Sequence, residues 1–349
     1  MANEGMSVEA REVKQYLPNV VALWDVFETL IPPNPGKLVE TYVWNGKELI
    51  KELQRVGREV RLGEGVERKV LVPVNPGLRK VGLFTATHTI YVGFQIVMPG
   101  EEAGAHRHTP FASRFMIRGK ASTTVDGVQV NFEEGDYITT PRWSWHDHAN
   151  RSSEPVVWLD ALDIPVPKMM LASFFEDYSE ETQPVMKDGD LRSRMASTGL
   201  APSFELAWVR GQTSPLVFKW KDVYAMLKDL ASFTEGSPHD GVVLTYRDPR
   251  TGKEVSDTMG ADISMLKPGF RTKPHRHTSS AVYFVVKGKG AILVDGRELS
   301  WGENDVISLT PWLYHELVND GQNEAVLFSL NDRPLLKNVG LYREEAARQ

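Results

Sequence analysis

The sequence contains the same module twice. Residues 104–127 align with residues 273–296 without a gap, and residues 135–150 align with residues 304–319 at the same offset of 169 positions. A gapless match over about fifty residues, with three histidines in register, identifies a tandem duplication. The fold must therefore be built from two copies of one unit, and each copy serves as a control for the other.

Each copy has the pattern of a β-rich domain. Short runs of Val, Ile, Thr and aromatic residues alternate with Gly, Pro, Asn and Asp, which favours strands separated by tight turns. The pairs Asp126-Gly127 and Asp295-Gly296 are typical of two-residue hairpin turns. Many short strands at this spacing predict a sandwich or small barrel of the jelly-roll kind. The predicted strands lie within residues 89–97, 121–130, 136–140, 281–286, 290–299 and 304–309.

Helical periodicity lies outside the two copies. Residues 38–60 and 220–233 place apolar residues at spacings of three and four, and the charged tail beyond 335 is predicted to form a short surface helix. The sequence thus predicts an all-β dominated fold with two tandem jelly-roll barrels, an N-terminal helical segment and a helical linker. The predicted divisions are an N-terminal helical arm at 1–68, a first and catalytic barrel at 69–165, a connector with a helix at 166–240, a second barrel at 241–335 and a tail at 336–349.

Composition excludes several classes of protein. The chain has 349 residues, no cysteine and a formal net charge of -6. Without cysteine there are no disulfides, zinc–thiolate sites, iron–sulfur clusters or thiol nucleophiles, and the acidic balance argues against a nucleic-acid partner. We expect a cytoplasmic chain without a membrane partner, because neither a secretory leader nor an apolar span of about 18 residues is found. The G-x-G-x-x-G fingerprint of dinucleotide binding is also lacking.

The repeated histidines predict a metal site. They are His106, His108 and His146 in the first copy and His275, His277 and His315 in the second. Two histidines separated by one residue on a strand point to the same face, because side chains alternate with a period of two. The third follows 38 residues later in both copies, where a neighbouring strand is expected. A lone histidine is more often structural, but the duplicated spacing favours three imidazoles around one metal with positions left open for other ligands.

Further motifs surround the histidines. They are NPGL (75–78), GFQIVMPGE (93–101), HRHTPFASRF (106–115), TPRWSWHDHAN (140–150) and VVWLDALDIP (156–165), with weaker matches in FFEDY (174–178) and YRDPRTG (246–252). This pattern resembles the cupin superfamily. The chain is similar to the bicupins of the gentisate 1,2-dioxygenase group, which includes salicylate and 1-hydroxy-2-naphthoate dioxygenases. The resemblance implies an Fe(II) site in the first cupin and a homotetramer.

The two copies differ beside their histidines. The residues Arg114, His148 and Gln95 of the first copy correspond to Tyr283, Leu317 and Ser264 of the second. The first copy therefore adds a cation, a titratable group and an amide that a purely structural metal site would not need. The resemblance points to the same copy, since its iron lies in the first cupin and is surrounded by the positions that match Gln95, Arg114, His148 and Asp160.

The chemistry of a 2-hydroxybenzoate suggests roles for these residues. Arg114 is predicted to hold the substrate carboxylate by charge-assisted hydrogen bonds, and His148 to assist deprotonation of the ortho hydroxyl. The alternatives are a surface ion pair for Arg114 and a structural role for His148. Asp160 is predicted either to accept the free N–H of a ligand histidine or to pair with an arginine. By resemblance, Arg68 is the candidate for an arginine of the N-terminal arm that reaches the substrate.

The sequence therefore predicts an Fe(II)-dependent, extradiol-type ring-cleaving dioxygenase. Its substrate is expected to be gentisate or a 5-substituted salicylate, opened between the carboxyl-bearing and hydroxyl-bearing carbons, with both atoms of O2 entering a ring-opened oxo acid. Residues 109–113 carry no glutamate after the paired histidines, which argues against an oxalate-decarboxylase-like bicupin. Two alternatives stay open at this point: a non-enzymatic metal-binding bicupin for storage or ligand sensing, and a different cupin enzyme, either an isomerase or a dioxygenase for diketones or thiols.

Overall fold

The chain folds as two units. A computed structural model describes residues 15–63, 65–189, 194, 203, 216–249 and 251–347; the first unit ends at Lys37 and the second begins at Leu38. In the first unit, a hairpin of Gln15–Leu17 (β1) and Val20–Val21 (β2) precedes the helix Leu23–Leu30 (α1). None of the side chains of this helix is buried.

The first barrel belongs to the large unit. Its strands are Lys69–Leu71 (β4), Tyr91–Val97 (β5), Glu102–His108 (β6), Ala112–Arg118 (β7), Lys120–Val125 (β8), Val128–Glu133 (β9), Tyr137–Thr140 (β10), His146–Ala149 (β11), Val156–Leu162 (β12), Phe175–Asp177 (β13), Lys187–Asp188 (β14) and Val217–Phe218 (β15). Within the described residues, one sheet has the order β15-β10-β7-β12-β5-β4 and the other β13-β6-β11-β8-β9-β14.

The second barrel repeats this plan. Its strands are Tyr42–Trp44 (β3), Val242–Thr245 (β16), Gly260–Leu266 (β17), His275–His277 (β18), Ala281–Lys287 (β19), Lys289–Val294 (β20), Arg297–Gly302 (β21), Val306–Leu309 (β22), His315–Val318 (β23), Ala325–Asn331 (β24) and Glu344–Ala346 (β25). The sheet orders are β3-β22-β19-β24-β17-β16 and β25-β18-β23-β20-β21, which match those of the first barrel except that β14 has no counterpart among the described residues. The prediction of two tandem β-barrels is confirmed.

The Asp-Gly pairs form the predicted hairpin turns. Asp126 and Gly127 have φ values of 47° and 77°, and Asp295 and Gly296 have values of 50° and 76°. Positive φ at both central residues is the requirement of a type I′ turn, which matches the twist of the strands that it joins. The turns connect β8 to β9 and β20 to β21 in equivalent positions of the two barrels.

A shared aromatic core joins the two barrels. Phe115 and Phe284, which occupy equivalent positions in the two copies, have ring centroids 5.7 Å apart. Phe115 also stacks on Phe328 at 4.6 Å, and Phe94 contacts Phe284 at 6.4 Å. Equivalent residues of the two copies therefore contact each other where the barrels meet. The cluster of buried residues is continuous across both barrels.

The helices lie outside the jelly rolls. They are Gly46–Glu59 (α2), Pro76–Arg79 (α3), Pro165–Met169 (α4), Trp220–Phe233 (α5) and Arg333–Asn338 (α6). The predicted helix at 220–233 is confirmed in both bounds. The predicted helix at 38–60 is shorter, because α2 begins after Asn45, whose side chain accepts a hydrogen bond from the Glu48 backbone N–H at 3.0 Å. Among the described residues, no helix has the length and apolar character needed to cross a bilayer.

Short strands from outside the predicted barrel ranges 69–165 and 241–335 complete the sheet edges. The predicted tail helix is wrong for residues 344–346, which pair with β18 as β25, because an open strand edge offers unpaired hydrogen-bonding groups. In the same way, β13 of the predicted connector pairs with β6. Most of 190–215 in that connector, and residue 250, lie outside the described residues. The predicted domain boundaries stay predictions.

Candidate functional site

Three histidines converge inside the first barrel. His106 and His108 lie on one face of β6, and His146 lies opposite His106 on the neighbouring strand β11. The ring centroids are 4.2 Å apart for His106 and His146, 4.8 Å for His108 and His146, and 5.3 Å for His106 and His108. One nitrogen of each ring lies within 4.8 Å of the others, a spacing suited to a single metal ion.

Backbone carbonyls orient these rings. The Nδ1 atom of His108 lies 2.9 Å from the Pro110 carbonyl, and that of His146 lies 2.8 Å from the Ser144 carbonyl. A carbonyl only accepts, so Nδ1 carries the proton and the lone pair stays on Nε2. The Nε2 atom of His146 is buried without a hydrogen-bond partner. A buried ring nitrogen with a free lone pair, next to two further histidines, fits a metal ion.

Burial keeps the imidazoles neutral. It lowers the pKa of His106 to about 2 and that of His108 to about 4, with the nearby arginine charges adding to the effect. Burial also holds the pKa of His146 well below its usual range. Neutral rings keep the lone pairs that metal coordination requires.

Arg68, which the resemblance made the candidate for a substrate-contacting arginine of the N-terminal arm, lies beside His106 of the triad. Its Nη2 atom donates to the Gly104 carbonyl at 3.0 Å and lies 2.7 Å from His106 Nδ1. The same carbonyl faces His106 Nδ1 at 3.0 Å, so it is shared by both groups. Phe175 of β13 stacks on the His106 ring with a centroid distance of 5.3 Å.

Arg114 and Asp160 form a buried ion pair beside the triad. They are cross-strand partners on β7 and β12, and Arg114 Nε lies 3.0 Å from Asp160 Oδ1. Arg114 Nη1 also donates to Thr140 Oγ1 at 2.7 Å. Burial lowers the pKa of Arg114 and raises that of Asp160, and their attraction opposes both shifts. Two interpretations were left open for Asp160. The structure shows the one in which it pairs with an arginine.

His148 is buried two residues after His146 on β11. Its ring centroid is 5.8 Å from that of His146 and 5.6 Å from the Trp158 ring. Both ring nitrogens are buried without a hydrogen-bond partner. Burial, followed by the charge of Arg114, lowers the pKa of His148 well below its usual range. A neutral imidazole with two unused nitrogens is thus held near the arginine.

The face of β5 adds residues that sequence reasoning did not select. Tyr91, Gly93 and the predicted Gln95 alternate along this strand and so share one face. Gly93 lies opposite Asp160, and a Cβ atom there would meet Val70 at 2.5 Å and the Tyr91 hydroxyl at 2.8 Å. The two-residue spacing from Gln95 is the signal that identifies Gly93 and Tyr91. No larger residue fits at Gly93 without displacing its neighbours.

Arg107 holds strand β13 against the outside of the site. It lies between the paired histidines and points to the opposite face, with its guanidinium carbon 4.5 Å from the Trp143 ring and 4.4 Å from the Trp145 ring. Its Nε donates to Glu176 of β13 at 2.8 Å. The cation–π contacts and the ion pair together hold β13 in place. The second barrel repeats this arrangement with Arg276, Trp312, Tyr314 and Glu345.

Comparisons with known proteins agree with this architecture. A protein-family model described as a Cupin domain matches residues 93–162 and 263–331. The chain is 37% identical over 344 residues to a 1-hydroxy-2-naphthoate 1,2-dioxygenase of Nocardioides sp. (strain KP7), with 97% of this chain and 86% of that protein covered. It is 34% identical over 332 residues to a 5-aminosalicylate 1,2-dioxygenase of Comamonas sp, with 94% and 87% covered.

A solved structure shows the same similarity. The salicylate 1,2-dioxygenase from Pseudoaminobacter salicylatoxidans, crystallised as adducts with gentisate, superimposes with a TM-score of 0.85 at 26% sequence identity. The match covers 95% of this chain and 92% of that chain. The similarity therefore extends over both barrels.

We expect the metal-free protein to lose stability as the pH falls from about 6.5 towards about 4. An unfolded histidine titrates near pH 6.5, whereas burial lowers the pKa of His108 and that of His277 to about 4. Between these values the unfolded chain binds more protons, so the free energy of unfolding falls by up to roughly 3 kcal/mol per histidine. Urea unfolding of chelator-treated protein at neutral and acidic pH measures this loss.

A matched pair of variants tests the cause of this pH dependence. His108→Gln should reduce the part of the pH dependence that comes from this ring, whereas Asn34→Gln, at an exposed position that carries no titrating group, should leave the pH dependence unchanged. Equal free energies of unfolding at both pH values in the unsubstituted protein would contradict the interpretation.

Proposed function

Because the chain belongs to the bicupin family of gentisate, salicylate and 1-hydroxy-2-naphthoate 1,2-dioxygenases, we propose that it opens a 2-hydroxybenzoate ring at an Fe(II) site formed by His106, His108 and His146. The protein is an oxidoreductase of the class that incorporates both atoms of O2. The observation that carries the proposal is a neutral three-histidine donor set with two arginines, Arg68 and Arg114, beside it.

The donor set favours iron and an anionic ligand. Three neutral imidazoles leave the charge of a divalent ion uncompensated, so a deprotonated 2-hydroxybenzoate is a well-matched ligand. Reaction with O2 requires a redox-active ion, which excludes zinc. When bound, Fe(II) supplies the centre at which the aromatic acid and O2 are brought together. The side chains around it are proposed to bind, orient and deprotonate the acid.

Arg114 is proposed to hold the substrate carboxylate. Its Nε and Nη1 atoms face Asp160 and Thr140, so the guanidinium is fixed before substrate arrives. A preorganised cation costs little ordering entropy on binding, and its burial strengthens the attraction to a carboxylate. Asp160 is thus a positioning residue in this proposal, because it acts through Arg114. Arg68 and Gln95 are proposed to contact the same ligand.

His148 is proposed to accept the proton of the ortho hydroxyl. In the free protein, burial and the Arg114 charge keep its pKa low, so the ring is neutral and able to accept. A substrate carboxylate that pairs with Arg114 offsets the charge of the arginine, which makes His148 more basic when the substrate is bound. Substrate binding and proton acceptance are coupled through one arginine.

The proposed reaction is cleavage between the carboxyl-bearing and hydroxyl-bearing carbons of the ring. The product is a ring-opened oxo acid, and the substrate class is gentisate or a 5-substituted salicylate. This proposal is supported by relatives named for gentisate, 5-aminosalicylate and 5-nitrosalicylate. The two alternatives, a non-enzymatic bicupin and a different cupin enzyme, lack such support. A homotetrameric assembly and a cytoplasmic location stay predictions.

Oxygen uptake by Fe(II)-loaded protein tests the proposed reaction. We expect uptake with at least one of gentisate, salicylate, 5-aminosalicylate, 5-nitrosalicylate and 1-hydroxy-2-naphthoate, together with the absorbance of a ring-opened oxo acid. Benzoate, which lacks the hydroxyl, is the control and should give none. With ¹⁸O2, both labelled atoms should appear in the product. Iron-containing protein that is inactive with all five compounds would instead favour the storage or isomerase alternatives.

Arg114→Ala should raise the Michaelis constant for the substrate roughly 10- to 100-fold, the equivalent of one charged hydrogen-bonded contact. Bound iron should be unchanged, because Arg114 contacts no triad nitrogen in the described hydrogen bonds. Arg118→Ala, at an exposed position on the same strand, is the control. Steady-state kinetics and metal analysis measure the two effects.

Arg114→Ala also leaves the buried Asp160 carboxylate without its partner. The double variant Arg114→Ala/Asp160→Asn removes that carboxylate charge and so isolates the effect on substrate binding. It should show the same rise in the Michaelis constant as the single variant. Loss of iron from both variants would contradict the assignment of Arg114 to the substrate.

His148→Gln should lower kcat by roughly 100-fold or more while iron stays bound, since a positioned base contributes a factor of this size. The residual kcat should rise with pH, because solvent hydroxide then takes the proton. Comparison with His88→Gln controls for loss of a histidine elsewhere. An unchanged kcat and pH profile would show that His148 has a structural role only.

A further inference from the structure

The second barrel holds a triad with the same geometry as the first. His275, His277 and His315 have ring centroids 4.3, 5.0 and 5.6 Å apart, and one nitrogen of each lies within 4.8 Å of the others. The Nδ1 atoms of His277 and His315 face the carbonyls of Ser279 and Leu313 at 2.8 and 3.1 Å. As in the first barrel, this leaves Nε2 free on both rings.

A carboxylate lies next to this triad. Asp240 Oδ1 is 3.8 Å from His275 Nε2, and the other oxygen of Asp240 accepts a hydrogen bond from the Ser237 hydroxyl at 2.9 Å. The hydroxyl therefore orients the carboxylate with one oxygen towards the ring. The His275 side chain is 3% exposed, so its ring is a buried polar group beside the other two histidines.

A fourth histidine supports the same ring. The His239 ring has its centroid 4.9 Å from that of His275, and its Nδ1 atom lies 3.0 Å from the Lys273 carbonyl. Lys273 corresponds to Gly104 in the first copy, whose carbonyl faces the histidine equivalent to His275. In the second barrel this carbonyl therefore also faces a second histidine, whose ring is tilted by 49° against that of His275.

The charge around the second triad is opposite to that around the first. Tyr283 and Ser329 stand where the first barrel has its arginine–aspartate pair. Among the described residues, the cavity is lined instead by the carboxylates of Asp240, Asp262 and Glu344 and by one cation, Arg333. Arg333 is engaged by Asp262 at 3.0 Å and also by Glu254 at 3.2 Å. The excess negative charge attracts a divalent cation and repels an aromatic dianion.

We propose that His275, His277, His315 and Asp240 form a second divalent-metal site that excludes hydroxybenzoates. Three imidazoles and one carboxylate are a donor set for a first-row divalent ion such as Fe²⁺ or Zn²⁺, and four protein ligands are typical of a closed, structural site. The ion would join β18, β23 and the loop that carries Asp240. The site differs from the first in its fourth protein ligand and in the sign of its surroundings.

Cobalt counting tests the site. Chelator-treated protein reconstituted with Co²⁺ should bind two ions per chain, His277→Gln and His106→Gln one each, and the double variant none. Asp240→Asn should weaken one of the two sites roughly tenfold, whereas Asp229→Asn, at an exposed position of α5, should change neither. One ion per chain in the unsubstituted protein, or two in His277→Gln, would overturn the proposal. If a histidine variant does not fold, the Co²⁺ affinity of Asp240→Asn, compared with that of Asp229→Asn, tests the proposal.

The visible spectrum of bound Co²⁺ tests exclusion without turnover. Gentisate should alter the spectrum of His277→Gln, which keeps the first site, and leave that of His106→Gln unchanged. A gentisate-dependent change in His106→Gln would overturn the exclusion of hydroxybenzoates. Because this readout and the ion count involve no oxygen uptake, they succeed or fail separately from the proposed ring cleavage.

Discussion

The candidate site depends on the pairing of two antiparallel strands, β6 and β11, inside a barrel. This pairing sets His106 directly opposite His146, and the alternation of side chains along β6 adds His108 on the same face. Backbone carbonyls then decide which ring nitrogen keeps its lone pair, as Pro110 does for His108. Without the pairing the histidines would not meet, and without the carbonyls their free nitrogens would not face a common point.

The duplication places the same scaffold in two electrostatic environments. In the first barrel, the ion pair of Arg114 with Asp160 keeps a cation buried near the triad. In the second, Arg333 is engaged by two carboxylates, while Asp240 faces a histidine. Charges interact more strongly where water is excluded, so a few substitutions on one framework change the ligand that each triad favours. We therefore propose an anionic aromatic acid as the ligand of the first barrel and a cation alone as that of the second.

Much of the fold was predictable because its signals are local. The Asp126-Gly127 turn needs only residues able to adopt positive φ, and α5 needs only apolar spacing. The edge strands β3, β15 and β25 were not predicted, because each is short and is stabilised by a distant strand rather than by its own sequence. The aromatic contact of Phe115 with Phe284 was missed for the same reason, since packing between barrels leaves no periodic signal.

The sequence by itself determined the duplication, the β-rich barrels, the two histidine triads and the substitutions that distinguish them. These follow from residue identity and spacing, and the sequence contains both in full. Only the tertiary structure decided that Asp160 pairs with Arg114, that Gly93 and Tyr91 share the face of Gln95, and that Asp240 approaches the second triad. Such choices depend on distances between segments far apart in the chain, which are set by strand register and packing.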